Sequence, residues 1–173
     1  TQVVMFFGVA VLITLVMLFL YSRSVKSTLA TLGCSIIAVI WQLGLLNALG
    51  MGLDPYSMLV PFLVFAIGVS HGVQVVGAIA HKQGEGHEKL NAARLAFRGL
   101  YIAGLTALLS DGFGFATLMV IDIPVIRDLA IAASVGVAVI ILTNLVLLPL
   151  IMSYTGVDEK AVKALQAAES GNN

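Results

Sequence analysis

The sequence predicts an all-α membrane protein, a bundle of five transmembrane helices, and three observations carry that prediction. First, the 173-residue chain is 60% hydrophobic and only 10% charged, with a mean hydropathy of +1.05. Soluble domains carry roughly 25% charged residues, and a soluble fold of this size cannot bury so much apolar surface, so the surplus faces lipid. Second, five apolar runs approach the roughly 20 residues needed to cross a hydrocarbon core. Third, the net charge of zero hides a lopsided distribution. Arg23, Lys26, Lys82, Lys89, Arg94, Arg98, Lys160 and Lys163 fall on one side of the expected topology, and Arg127 alone on the other. Basic residues stay cytoplasmic, so the N-terminus is expected outside and the C-terminus inside.

The first span, about 3–21, contains no charge. It is too long for a signal-peptide core and lacks a basic flank and a small-residue cleavage site. The second, about 29–51, is interrupted by Gln42 and Asn47, and the third, about 56–80, carries "FAIGVSHGVQVV". Asp54-Pro55 before it suits a helix start, with Asp as cap and Pro in the first turn. The connection "HKQGEGHEKLNAARLAFRG" places Leu90, Ala93 and Phe97 at i, i+3 and i+7, which predicts an interfacial amphipathic helix over about 87–98. The fourth span, about 100–121, holds Asp111, and the fifth, about 129–154, holds Asn144. Residues 1–155 thus form the bundle. Residues 156–173 form a cytoplasmic tail, expected to start as a surface helix and end as a disordered stub. The abrupt start suggests a piece of something longer.

A polar group in hydrocarbon costs several kcal/mol unless it finds a partner, so Ser70, His71 and Gln74 call for a reason. At about 100° per residue, Ser70 and Gln74 lie about 40° apart and His71 about 60° beyond Gln74, so the three share a flank. Gly68 and Gly72 form a small-xxx-small pair on another face, suited to close helix contact. In the fourth span, Gly104, Ala107 and Gly114 flank Asp111, which points it toward a helix–helix seam. His71 and Asp111 sit near the middle of sequential antiparallel spans, so a hydrogen bond or ion pair between them is expected. Ionisable groups at bilayer depth usually mark ion or proton paths, whereas lone amides such as Gln42, Asn47 and Asn144 are read as packing contacts.

Other chemistries fit poorly. Ser70 and His71 diverge by about 100° on a helix and cannot form a hydrolytic dyad. Only one acid lies within a span, which is too few for an intramembrane aspartyl protease. His81 and His87 lack metal-ligand spacing, and "GEGHEK" lacks the context of a phosphate loop. The single cysteine, Cys34, supports neither a disulfide framework nor a zinc cluster. No enzyme activity, cofactor, metal or nucleic-acid partner is expected.

The runs "YSRSVKSTLATLGCSIIAVIWQLGLLNALGMGLDPYSMLVPFLVFAIGVSHGVQ", "LTALLSDGFGFATL" and "IPVIRDLAIAASVGVAVIILTNLVLLPLI" resemble the transmembrane module of the resistance–nodulation–division (RND) superfamily. They are most similar to its mycobacterial-membrane-protein-large-like (MMPL) and hydrophobe-exporter branch, which is related to sterol-sensing domains. The resemblance covers roughly residues 3–155. It implies one half of a pseudo-symmetric membrane domain in a bacterial inner membrane, completed by a second bundle and an extracytoplasmic domain. The implied activity is proton-driven export of hydrophobic or amphiphilic molecules, with membrane lipids as surroundings. Relatives often carry an Asp-Tyr pair where this chain has Ser70-His71, and threonines where it has Ser110-Asp111. The acid has moved to the neighbouring helix, so the implied proton relay is His71 and Asp111, assisted by Ser70, Gln74 and Ser110. Such a pair would titrate as a coupled unit. A sterol-sensing-like lipid-binding or regulatory module without transport is the alternative.

Overall fold

A computed structural model describes residues 2–52 and 58–170. The expected Asp54-Pro55 cap lies outside the described residues. The chain runs through α1 (Gln2–Ser22), α2 (Val25–Ala48), α3 (Leu59–Gly84), α4 (Lys89–Thr117), α5 (Pro124–Ile140), a π-helical segment (Ile141–Leu147), α6 (Leu148–Thr155) and α7 (Glu159–Ser170). A 3-10 turn, Leu118–Val120, closes α4, and no strand occurs among the described residues. Five helical units are long and apolar enough to cross a membrane, the fifth being the continuous rod Pro124–Thr155. The fold class is therefore the one expected.

The turns explain themselves locally. Arg23 takes a left-handed φ of 48°, and Ser24 caps α2 by accepting from the Ser27 amide at 3.3 Å. That lets two residues reverse the chain, and α2 begins four residues earlier than the hydrophobic run suggests. Pro124 occupies the first turn of α5, where its missing N–H costs nothing. The fifth span starts there rather than at residue 129.

The segment 87–98 does not form a separate interfacial helix. From Lys89 onward it is the first part of α4, a 29-residue helix about 43 Å long at 1.5 Å per residue. Nothing between Phe97 and Tyr101 breaks the helix except Gly99, which a helix interior tolerates. The buried stripe is Ala92, Ala93 and Ala96, while Leu90 is 51% exposed.

The core sits between α2, α3 and α5. Val39, Val64, Phe65, Val137 and Ile140 interlock there, and α4 reaches in with Leu108. By contrast, α1 and α4 present most of their surface outward, as lipid-facing helices do. At the Lys/Arg-rich end a second cluster packs Ile79, Ala92, Ala96, Met152, Val157 and Ala161 together. The tail is therefore docked rather than merely lying on the surface. The Val157 amide donates to Gln83 Oε1 at 2.7 Å, and Gln166 Nε2 to the Gly84 carbonyl at 2.6 Å. Gly156, at φ 67°, makes the turn into it and lets the Lys89 stem pack directly on its backbone.

Candidate functional site: an open polar face on two spans

The buried stripe of α3 contains Val64, Gly68, Gly72, Val75 and Ile79. Ser70 and Gln74 are displaced from Gly68 by about 200° and 240° on the helix, nearly opposite that stripe. Both are exposed, and His71 on the flank is half-buried. On α4, Ser110 and Asp111 are likewise exposed. Of the five residues that the sequence nominates as a relay, four thus reach the outside of this bundle, and His71 stands at its margin.

His71 and Asp111 are not bonded to one another. His71 Nδ1 lies 3.0 Å from the Ile67 carbonyl one turn back. A carbonyl only accepts, so Nδ1 is the donor in this contact and Nε2 is left for another partner. Among the described residues no hydrogen bond or ion pair holds Asp111. The expected direct pair is not formed: His71 turns its ring back to its own helix backbone, and Asp111 is exposed.

The glycines separate into two groups. A Cβ at Gly68 would meet Asn144 Nδ2 and Ser35 Oγ at 3.0 Å, and one at Gly104 would meet Leu145 Cδ1 at 2.9 Å. Gly72 is tighter still against Thr31. Gly114, however, has nothing within 4 Å of such a Cβ and faces outward. The contact expected of it is made one turn-fraction away by Gly112, whose carbonyl accepts from Ser134 Oγ at 3.3 Å. Gly136, which the sequence reading passed over, is packed against Val64 and Gln42. Ala132 and Gly136 form a small-xxx-small pair, which was its available signal.

Beneath the open face lies a buried polar bridge. Gln42, fully buried, donates through Nε2 to the Ala132 carbonyl at 2.9 Å. Asn144, also fully buried, donates through Nδ2 to the Gly68 carbonyl and lies 3.4 Å from Ser35 Oγ. These amides tie α2 and α3 to the fifth span, whereas Asn47 is exposed and makes no side-chain hydrogen bond among the described residues. Gln42 Oε1 and Asn144 Oδ1 find no partner among the described residues. Asn144 reaches Gly68 from the π-helical segment, where the Leu148 amide bonds the Thr143 carbonyl five residues back. Pro149 gives the physical cause: it has no N–H for the Leu145 carbonyl and its ring would clash there, so the ladder opens locally.

No cluster of His, Cys, Asp and Glu among the described residues is arranged to hold a metal. The chain matches the family described as "Sterol-sensing domain of SREBP cleavage-activation" over residues 19–164, which is well over half its length. The chain belongs to the sterol-sensing-domain family. No curated protein matches it. Membership in the sterol-sensing family, itself related to the RND membrane proteins, fits the multi-pass fold and points to a function tied to membrane lipid.

Proposed function

We propose that this sterol-sensing-family module is the membrane half of a proton-driven, RND-type transporter of hydrophobic or amphiphilic molecules. The observation that supports it is the exposure of Ser70, Gln74, Ser110 and Asp111 on two membrane spans. Left against acyl chains these groups would cost several kcal/mol together. A second bundle laid over the face would bury them and give Asp111 a partner, as transporters built on repeat interfaces do. His71 Nε2 then accepts a proton across the interface and Asp111 takes up or releases one, with Ser70, Gln74 and Ser110 relaying or orienting. A transmembrane potential biases such a step by about 2.3 kcal/mol per charge per 100 mV.

The experiment is proton flux by the complete protein in proteoliposomes under an imposed pH gradient. Asp111→Asn is expected to abolish coupled flux while thermal stability stays near wild type. Full flux in Asp111→Asn would end the relay reading.

A second reading, a lipid-binding regulatory module, is favoured by a different observation. An apolar cavity of about 410 Å³ opens between α1, α2 and α3, lined by Val4, Phe7, Val39, Leu43 and Phe62 among others. Photo-crosslinking of a lipid analogue into that cavity, with no effect of Asp111→Asn on any activity, would favour this reading over transport.

A further inference from the structure

We propose that Arg94 and Arg98 form a headgroup site for one anionic phospholipid on the outer face of α4. Both side chains are exposed, and among the described residues neither takes part in an ion pair or hydrogen bond. Nearby Lys26 and Lys82, in contrast, are matched by Asp158 and Glu85. Arg94 and Arg98 stand one helical turn apart, which brings residues at i and i+4 to about 5–6 Å between Cβ atoms. Two like charges at that spacing repel, unless an anion lies between them. Each planar guanidinium offers a fork of donors matched to phosphate oxygens.

The depth fits a lipid phosphate. Counting back about 20 residues from Val120, the length that spans a hydrocarbon core, puts the boundary near Tyr101. Arg98 then stands about 4–5 Å beyond the hydrocarbon and Arg94 about 10 Å beyond it, at 1.5 Å per residue. That is headgroup depth. Leu90, Arg94, Arg98 and Tyr101 fall within an arc of about 80°, opposite the buried stripe of Ala92, Ala93 and Ala96. Starting between the arginines and reaching down to the boundary, the Phe97 and Tyr101 rings touch at 4.9 Å between centroids, an aromatic pair at the level where such rings anchor. Charge, depth and direction agree on a lipid lying in the leaflet beside the basic end. Nothing in this site uses the polar face of α3, so it stands or falls independently of proton coupling.

Native mass spectrometry of the detergent-purified protein tests it, using phosphatidylglycerol and phosphatidylcholine with identical acyl chains. Wild type is expected to retain the anionic lipid preferentially. A basic side chain near an anionic surface contributes about 1 kcal/mol, so R94Q/R98Q should raise the dissociation constant for phosphatidylglycerol more than tenfold. R94K/R98K should lose only part of the preference, because it keeps charge but not the fork. K160Q/K163Q, which removes the same charge from α7, should leave occupancy unchanged. Equal retention of both lipids by wild type would overturn the proposal, and so would an equal loss in K160Q/K163Q. Displacement of the lipid by inorganic phosphate would overturn it too, by reassigning the arginines to a soluble anion.

Discussion

A Cβ placed on Gly72 would stand 3.3 Å from Leu148 Cδ2 and closer still to Thr31, whereas one on Gly114 meets nothing within 4 Å. Gly72→Ala should therefore destabilise by about 1–3 kcal/mol through overpacking. Gly114→Ala should stabilise by about 0.5–1 kcal/mol, since it removes only the flexibility of a helical glycine. Thermal unfolding in detergent separates the two, and a Tm loss for Gly114→Ala would put that residue back in a seam. Asn144→Asp follows the same logic: a carboxylate replaces the Nδ2 donor opposite the Gly68 carbonyl, leaving two acceptors facing each other. A buried charge without a partner costs about 3–5 kcal/mol, enough to prevent recovery of folded protein. At this scale the sequence was half legible. Spacing on α3 located the close approach at Gly68 and Gly72, because one helix's own periodicity decides it. Whether Asp111 and Gly114 look inward depends on where α4's neighbours lie, which no single-helix wheel contains.

Among the elements, the π-helical segment Ile141–Leu147 is the one that ordinary helix reasoning gets wrong. Replacing a proline inside a helix with alanine normally stabilises by up to about 3 kcal/mol. Here Pro149→Ala would let the ladder close to regular α, and a one-residue register change turns the preceding helix by about 100°. Asn144 would then leave the Gly68 carbonyl. Pro149→Ala is accordingly expected to lower Tm, and a clear rise would show that the π segment does not position Asn144. The tail helix α7 invites a different test. Asp158 Oδ2 accepts from Ser24 Oγ at 2.8 Å and Oδ1 faces Lys26 at 3.2 Å. The Ser24 hydrogen bond, helped by Lys26, holds the Asp158 carboxyl below its usual value. A carboxyl depressed on folding stabilises above its unfolded pKa of about 3.9 and loses that contribution as pH falls through the folded value. The protection factors of amides 159–170, that is, the intrinsic rate at each pH divided by the observed exchange rate, should thus be constant near neutrality and fall below about pH 4. Asp158→Asn should show faster exchange already at pH 7. The tail's docking was illegible beforehand, because it rests on Gln83, Gln166 and Ser24, polar residues whose partners lie far along the chain. The length of α4 was legible in principle, since only Gly99 stands between the amphipathic segment and the span.

For the whole molecule, hydropathy alone gave the number of spans, because lipid demands about 20 apolar residues per crossing regardless of tertiary contacts. Orientation is a separate matter, decided by charge. Eight of the nine Lys and Arg residues fall at the end that holds the α1–α2 turn, the α3–α4 turn and the tail, with Arg127 alone at the other. Retention of basic residues on the cytoplasmic side predicts that this end lies inside. Single-cysteine labelling with an impermeant maleimide in intact cells tests this, in a background where buried Cys34 is replaced. Suitable positions must be exposed, which excludes Ser24, fully buried against Asp158. Arg23, Gly52, Gly86 and Asp122 are exposed in successive connections. Cysteines at 52 and 122 are expected to label from outside, while those at 23 and 86 should label only after permeabilisation. The reverse pattern would mean that the charge bias does not set orientation here. Labelling of 52 and 86 from the same side would be more serious, because two ends of one continuous 26-residue helix, α3, cannot share a side without that helix failing to cross.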